Sequence, residues 1–377
     1  MTQRELVMKK VLLALPALAI ALVAVFASAG QSAHAAEVTL RLRAGDGETG
    51  YSVNMFLPGT VYINENDTLV WEFPWDEPHS VTFGEIAGDP EGPSHPDTPV
   101  VEYAGTGFVN SGLVFGNPQT PPTFSVKFTE VGSFDYFCFI HPMMTGQVVV
   151  QGPGIGQQDT QASVDGRGQA TYNSAIATLK AAAASQAAKP VAVTGTGAAK
   201  KYTIAISSAN DLPAGDVMQF FPASLNVGLN DSVEFVSNVH TPHDVAFPGP
   251  VDFNAPPPPE FANFDPFESS LNYSAGVKLD NSKPVISPML GLDFPGGTKA
   301  TFAFAKTGTY QYVCILHAPQ GMMGQINVTA GSPLPPNTGD SFVTGSAASG
   351  TAGLWLVLGA VGFAMAATGV AFATTRR

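Results

Sequence analysis

The sequence predicts an all-β chain built from two copies of one strand-rich domain, and three observations predict it. Short stretches alternate apolar and polar residues with period two, as in EVTLRLRA from Glu37 to Ala44, the mark of half-buried strands. Glycine (39) and proline (31) are frequent and charged residues make up only 12%, which suits short strands joined by many turns. The order of motifs also recurs. FLPGTVYINENDTLVWEF at Phe56 to Phe73 matches FFPASLNVGLNDSVEFVS at Phe220 to Ser237, and EPHSVTF (Glu77 to Phe83) matches TPHDVAF (Thr241 to Phe247). FDYFCFIHPMMTGQ at Phe134 to Gln147 likewise matches YQYVCILHAPQGMMGQ at Tyr310 to Gln325.

Residues 1–35 read as a secretory signal: Arg4, Lys9 and Lys10 precede an apolar run from Val11 to Ala29, and Ala33-His34-Ala35 offers a cleavage site. The run is long for a signal, so an uncleaved anchor is the alternative. Residues 36–151 form the first domain, with strands at Glu37 to Ala44, Val61 to Ile63 and Leu69 to Phe73. A Pro- and Gly-rich excursion follows, with a strand at Val100 to Tyr103, and then PTFSVKF, FDYFCF and GQVVVQ. Residues 152–200 form a linker whose Ala-dominated part, Gln169 to Ala188, predicts a helix stopped by Pro190. Such a helix is a semi-rigid spacer, and a disordered tether is the alternative because no wide apolar face is visible.

Residues 201–330 repeat the first domain, with FVNSG at Phe108 to Gly112 set against LDNSK at Leu279 to Lys283. A tail rich in Pro, Gly and Ser occupies 331–351 and carries PPNTG at Pro335 to Gly339, which resembles a sortase sorting signal with Pro335 in place of its Leu. The apolar run 352–373 is long enough to be a transmembrane helix, and Arg376 and Arg377 fit its cytoplasmic end. The reading is therefore an extracytoplasmic protein held to the cell membrane, with the cell wall as the alternative attachment. A net charge of −13 argues against nucleic acid as a partner.

Both cysteines of the chain fall in the repeated loop, so a structural disulfide is not expected. Each loop combines Cys, His and Met: Cys138, His141 and Met144 in the first, Cys314, His317 and Met322 in the second. A thiolate, imidazoles and a weak thioether suit a copper ion that shuttles between Cu(I) and Cu(II). One loop supplies a single imidazole, and the second comes from His79 in EPHSVTF and His243 in TPHDVAF. His95 and His240 are expected at the surface.

On these residues both domains resemble cupredoxins, the blue (type 1) copper proteins, of the plastocyanin and amicyanin type. The short spacing of CFIHPMMTG is amicyanin-like and selects Met144 over Met143; the longer CILHAPQGMMG is plastocyanin-like and selects Met322 over Met323. The resemblance implies two Greek-key β-sandwiches, each with one copper bound by two His, one Cys and an axial Met. Where such relatives have Asn after the first His and Ser or Thr after Cys, this chain has Ser80, Asp244, Phe139 and Ile315, which leaves the bracing of the ligand loops open.

The function expected is single-electron transfer between extracytoplasmic redox partners, a cytochrome or a membrane oxidoreductase complex, with His141 and His317 as electron ports and no enzymatic activity. A two-domain copper oxidase or nitrite reductase is the alternative. It calls for His before the loop Cys and for H-x-H pairs, whereas Phe137 and Val313 hold those places and no H-x-H occurs in the mature sequence. Copper storage, with Met143, Met144, Met322 and Met323 as soft ligands, is the other alternative.

Overall fold

The computed structural model describes residues 37–152, 155–196, 199–208, 210–249, 267 and 269–331. The proposed signal, the PPNTG tail and the apolar run 352–373 lie outside them. Among the described residues no helix is long and apolar enough to cross a membrane.

The described chain is mostly β, arranged as two cupredoxin-like sandwiches. In the first half one sheet runs in the order Tyr51–Leu57, Thr39–Glu48, Thr68–Glu72, Thr123–Phe128, Val101–Tyr103, and the other in the order Thr60–Asn64, Thr145–Gln151, Gly132–Phe137, Thr82–Phe83, Val109–Asn110. The second half repeats this order with Lys201–Ile206, Ser232–Ser237, Lys299–Phe304, Val277–Leu279 and with Ser224–Gly228, Met323–Thr329, Gly308–Val313, Ala246–Phe247, Val285–Ile286. Alternation explains the packing: in Lys201–Ile206 every second side chain, Tyr202, Ile204 and Ile206, is buried. Each sandwich closes around three aromatic rings at equivalent places. Trp71, Phe83 and Tyr136 lie with centroids 5.1 to 5.8 Å apart, and Phe235, Phe247 and Tyr312 with centroids 5.0 to 6.3 Å apart.

The match of FVNSG to LDNSK is corrected by the pairing. Val109–Asn110 pairs with Thr82–Phe83, and the strand holding that place in the second half is Val285–Ile286, paired with Ala246–Phe247. Ser111 and Ser287, not Ser282, are equivalent: their hydroxyls accept the N–H of Val81 and Val245, each at 2.9 Å. Leu279 ends the strand that corresponds to Val101–Tyr103. The shared N-S pair belongs to two different turns.

The helix spans Gln161–Ala187, beginning eight residues before the Ala-rich stretch, at a capping box in which Thr160 and Ser163 bond reciprocally. It is neither a free spacer nor a disordered tether. Ala175, Ile176, Leu179 and Ala183 form a narrow buried stripe packed with Val53, Leu57, Val217 and Phe221, so small residues made a real face that hydropathy alone does not reveal. Val217 and Phe221 belong to the second half. There Gly215–Val217 pairs antiparallel with Tyr51–Leu57 and extends the first half's sheet. Gly215, at φ +133°, sits where a Cβ would lie 2.0 Å from the Ser52 carbonyl oxygen, so this pairing needs glycine.

Candidate metal centres

Each centre is assembled where strands end. Gly132–Phe137 stops one residue before Cys138, and the chain turns back into Thr145–Gln151 through a loop held by Cys138 N–H to the Met144 carbonyl and Met144 N–H to the His141 carbonyl, each 2.9 Å. In the longer second loop Cys314 N–H donates to the Met322 carbonyl at 3.1 Å and Met322 N–H to the His317 carbonyl at 3.0 Å. His79 lies on Pro78–His79, paired with Val114–Phe115, and His243 is fixed by a bridge to Leu290.

These turns bring together the two imidazoles and the thiol of each half. His79 Nδ1 lies 3.1 Å from His141 Nδ1, which lies 3.5 Å from Cys138 Sγ. His243 Nδ1 lies 3.1 Å from His317 Nδ1, and Cys314 Sγ lies 3.4 Å from His317 Nδ1 and 3.9 Å from His243 Nδ1. Bonds of about 2.0 to 2.3 Å at near-tetrahedral angles put neighbouring donors roughly 3.3 to 3.8 Å apart, so both sets fit one ion. Of the methionines, Met144 and Met322 are buried at 1% and 0% exposure, while Met143 and Met323 are exposed at 53% and 56%. Both cysteines are free.

The electrostatics prepare the donors. Burial, and then the neighbouring imidazole, hold His79 and His243 well below the usual histidine range. Burial takes His141 down to about 4, and burial followed by the proximity of His141 takes His317 down to about 3. All four rings are thus neutral near pH 7 and free to offer Nδ1. Burial raises the Cys138 thiol, and burial with the Asp244 charge raises Cys314 further, so a metal ion must displace a proton from each. His79 Nε2 rests against Gly45, at φ +73°, where a Cβ would lie 2.0 Å from that nitrogen.

The ligand loops are braced by the very residues that depart from the relatives. Ser80 N–H donates to Cys138 Sγ at 3.3 Å, and Ser80 Oγ accepts the Phe139 N–H at 3.0 Å. In the second half Asp244 Oδ1 accepts the Ile315 N–H at 2.7 Å. His95 is exposed and lies 2.7 Å from Ser94 Oγ; His240, also exposed, pairs with Asp211 at 2.6 Å.

The expectation that both His141 and His317 are surface electron ports is corrected for His317 alone, since the His141 side chain keeps 14% exposure. His317 is 3% exposed, and both Nε2 atoms face inward to the buried carboxylate of Glu77, each at 3.8 Å. Glu77 is hard to pick out in the sequence. Its one signal there is an acid before Pro-His in the first copy where the second has Thr241.

Two sandwiches, each with Cys, two His and a buried Met at one end, define the class: copper-binding β-sandwich modules. The profile of the family described as "Copper binding proteins, plastocyanin/azurin family" matches residues 206–329. Amicyanin-alpha from Methylorubrum extorquens is 30% identical over 138 residues, which cover 36% of this chain and 97% of that protein. The chain belongs to this copper-binding cupredoxin family. Among solved structures, a Cu(I) form of an amicyanin variant with methionine replaced by alanine is 21% identical, with TM-score 0.21, over 30% of this chain and 82% of that one. A second such Cu(I) variant is 23% identical, with TM-score 0.22, over 32% and 88%.

Proposed function

We propose that this chain is an electron carrier, not an enzyme, holding one type 1 copper in each half. His79, Cys138, His141 and Met144 would hold the first ion, and His243, Cys314, His317 and Met322 the second. Bound copper supplies a one-electron Cu(I)/Cu(II) couple. The observation that carries the reading is the convergence of two Nδ1 atoms and one Sγ in each half, buried except for the partly exposed His141, with both loop histidines neutral before the metal arrives. The protein's part is to fix those donors through Ser80 and Asp244 and to exclude water, so that little need rearrange when an electron arrives. Two imidazoles, a thiolate and a thioether fill four positions and leave none for a substrate. The absence of His before either Cys supports a carrier over an oxidase or nitrite reductase. The signal-like leader and apolar C-terminal run support an extracytoplasmic, membrane-held protein whose partners are a cytochrome or a membrane oxidoreductase.

The test is the visible and EPR spectrum of the Cu(II)-loaded full chain beside Cys138→Ala and Cys314→Ala. We expect an intense blue band that each substitution reduces in part and the pair abolishes. No band in the parent sinks the reading; nitrite or oxygen turnover returns the enzyme, and several Cu(I) per half returns storage.

A further inference from the structure

Glu77 stands between the two centres. It is 4% exposed, and its Oε1 lies 3.8 Å from His141 Nε2 while its Oε2 lies 3.8 Å from His317 Nε2. That distance exceeds a hydrogen bond and is too short for an intervening water, so carboxylate and ring edges face each other directly. Each imidazole turns Nδ1 to its own centre, so a metal held there would leave the proton on Nε2, and both Nε2 atoms face one carboxylate.

The contact is built from several places. Gln320, on the second ligand loop and 2% exposed, donates through Nε2 to the Asp76 carbonyl beside Glu77, and its main-chain carbonyl accepts the Gly50 N–H at 2.7 Å. The Gly215–Val217 strand pairs with Tyr51–Leu57, the strand that begins next to Gly50, and so joins the same two halves.

We propose that the two centres form one intramolecular relay in which an electron crosses through His141, the Glu77 carboxylate and His317. This rests on the copper-carrier reading above. In the step one centre loses one electron and the other gains it; no bond is made or broken, and no proton leaves the protein. Electronic coupling falls steeply across empty gaps and less through bonded atoms, and here a single carboxylate fills the space between the rings. Glu77 is thus a positioning residue that stands between the two rings, facing each Nε2 at 3.8 Å. The corollary is that exchange with outside partners does not use the buried His317 edge.

The experiment uses the copper-loaded full chain. Pulsed EPR of the doubly oxidised protein should show dipolar coupling between the two spins, lost in Cys314→Ala. Pulse radiolysis delivering less than one electron per molecule should then show redistribution between the sites at a rate independent of protein concentration. Glu77→Ala should keep both blue bands and slow that step by about 10- to 100-fold, the size of effect that loss of a residue beside a ligand histidine has on a metal site's activity. Glu77→Gln, which keeps a polar bridge, should lose less. Absent blue bands in the parent would defeat the carrier reading itself. Blue bands without dipolar coupling, a concentration-dependent rate, or an unchanged rate in Glu77→Ala would overturn the relay alone. Should the alanine variant fail to load copper, the parent's coupling and the glutamine variant's rate decide the matter.

Discussion

Ser80 and Asp244 do the same job with different charge. Each follows the first histidine of its centre and accepts the N–H of the residue after the cysteine, so the two ligand loops are braced alike. A carboxylate beside Cys314 has an electrostatic consequence that a hydroxyl beside Cys138 lacks. Burial pushes Asp244 up to about 7, so at pH 8 it is largely ionised and favours the more positive oxidised state of its centre. Asp244→Asn should therefore raise the second potential at pH 8 by about 50 to 100 mV and leave the first unmoved, since a unit charge a few ångströms away counts for a few kcal/mol at most in protein. Spectroelectrochemistry of the two bands checks this, and a fall would contradict it. At this scale the sequence was informative: the spacing of Cys, His and Met is local, and local spacing survives into structure. The bracing was not legible, because it joins residues 59 and 71 positions apart through backbone groups that every residue carries.

The helix Gln161–Ala187 illustrates what hydropathy misses. Alanines bury little area each, so the stripe through Ala175 and Ala183 looks neutral, yet it lets the helix lie close on the sheet, with Gly168 against the Leu57 carbonyl. Leu179, fully buried, anchors it. Leu179→Ala should destabilise the chain by about 2 to 5 kcal/mol in urea unfolding, the range for a buried leucine, whereas a tethering helix would show almost none. The start of the helix was set by a cap at Thr160 outside the alanine run, which is why composition placed it too late. The strands were easier, because inward residues such as Leu69 and Trp71 mark half-buried β structure wherever they fall.

Across the whole molecule, two halves that read as beads on a linker share a joint, and no single stretch of sequence states that. Asp216, on the bridging strand, is buried there and pairs with Asn54 Nδ2 at 2.7 Å. Burial, opposed by hydrogen bonds from Thr241 and Asn54, pushes its pKa up from 3.8 to about 6. The folded state therefore prefers the protonated form, so this stabilisation is complete below about pH 3.8 and is lost as pH rises through 6. Asp216→Asn should raise apoprotein stability at pH 7.5 by about 2 to 3 kcal/mol and leave it unchanged near pH 4. Thermal melts at the two pH values would measure the difference, and equal shifts at both would refute it. The pairing of Gly215–Val217 with Tyr51–Leu57 carries one more consequence. A chain cut within the helix would leave Tyr51–Leu57 as a bare sheet edge, open to recruitment by any neighbouring strand. The first half is thus not a module that can be moved to another protein at will; its solubility is written partly in residues that lie more than 150 positions downstream.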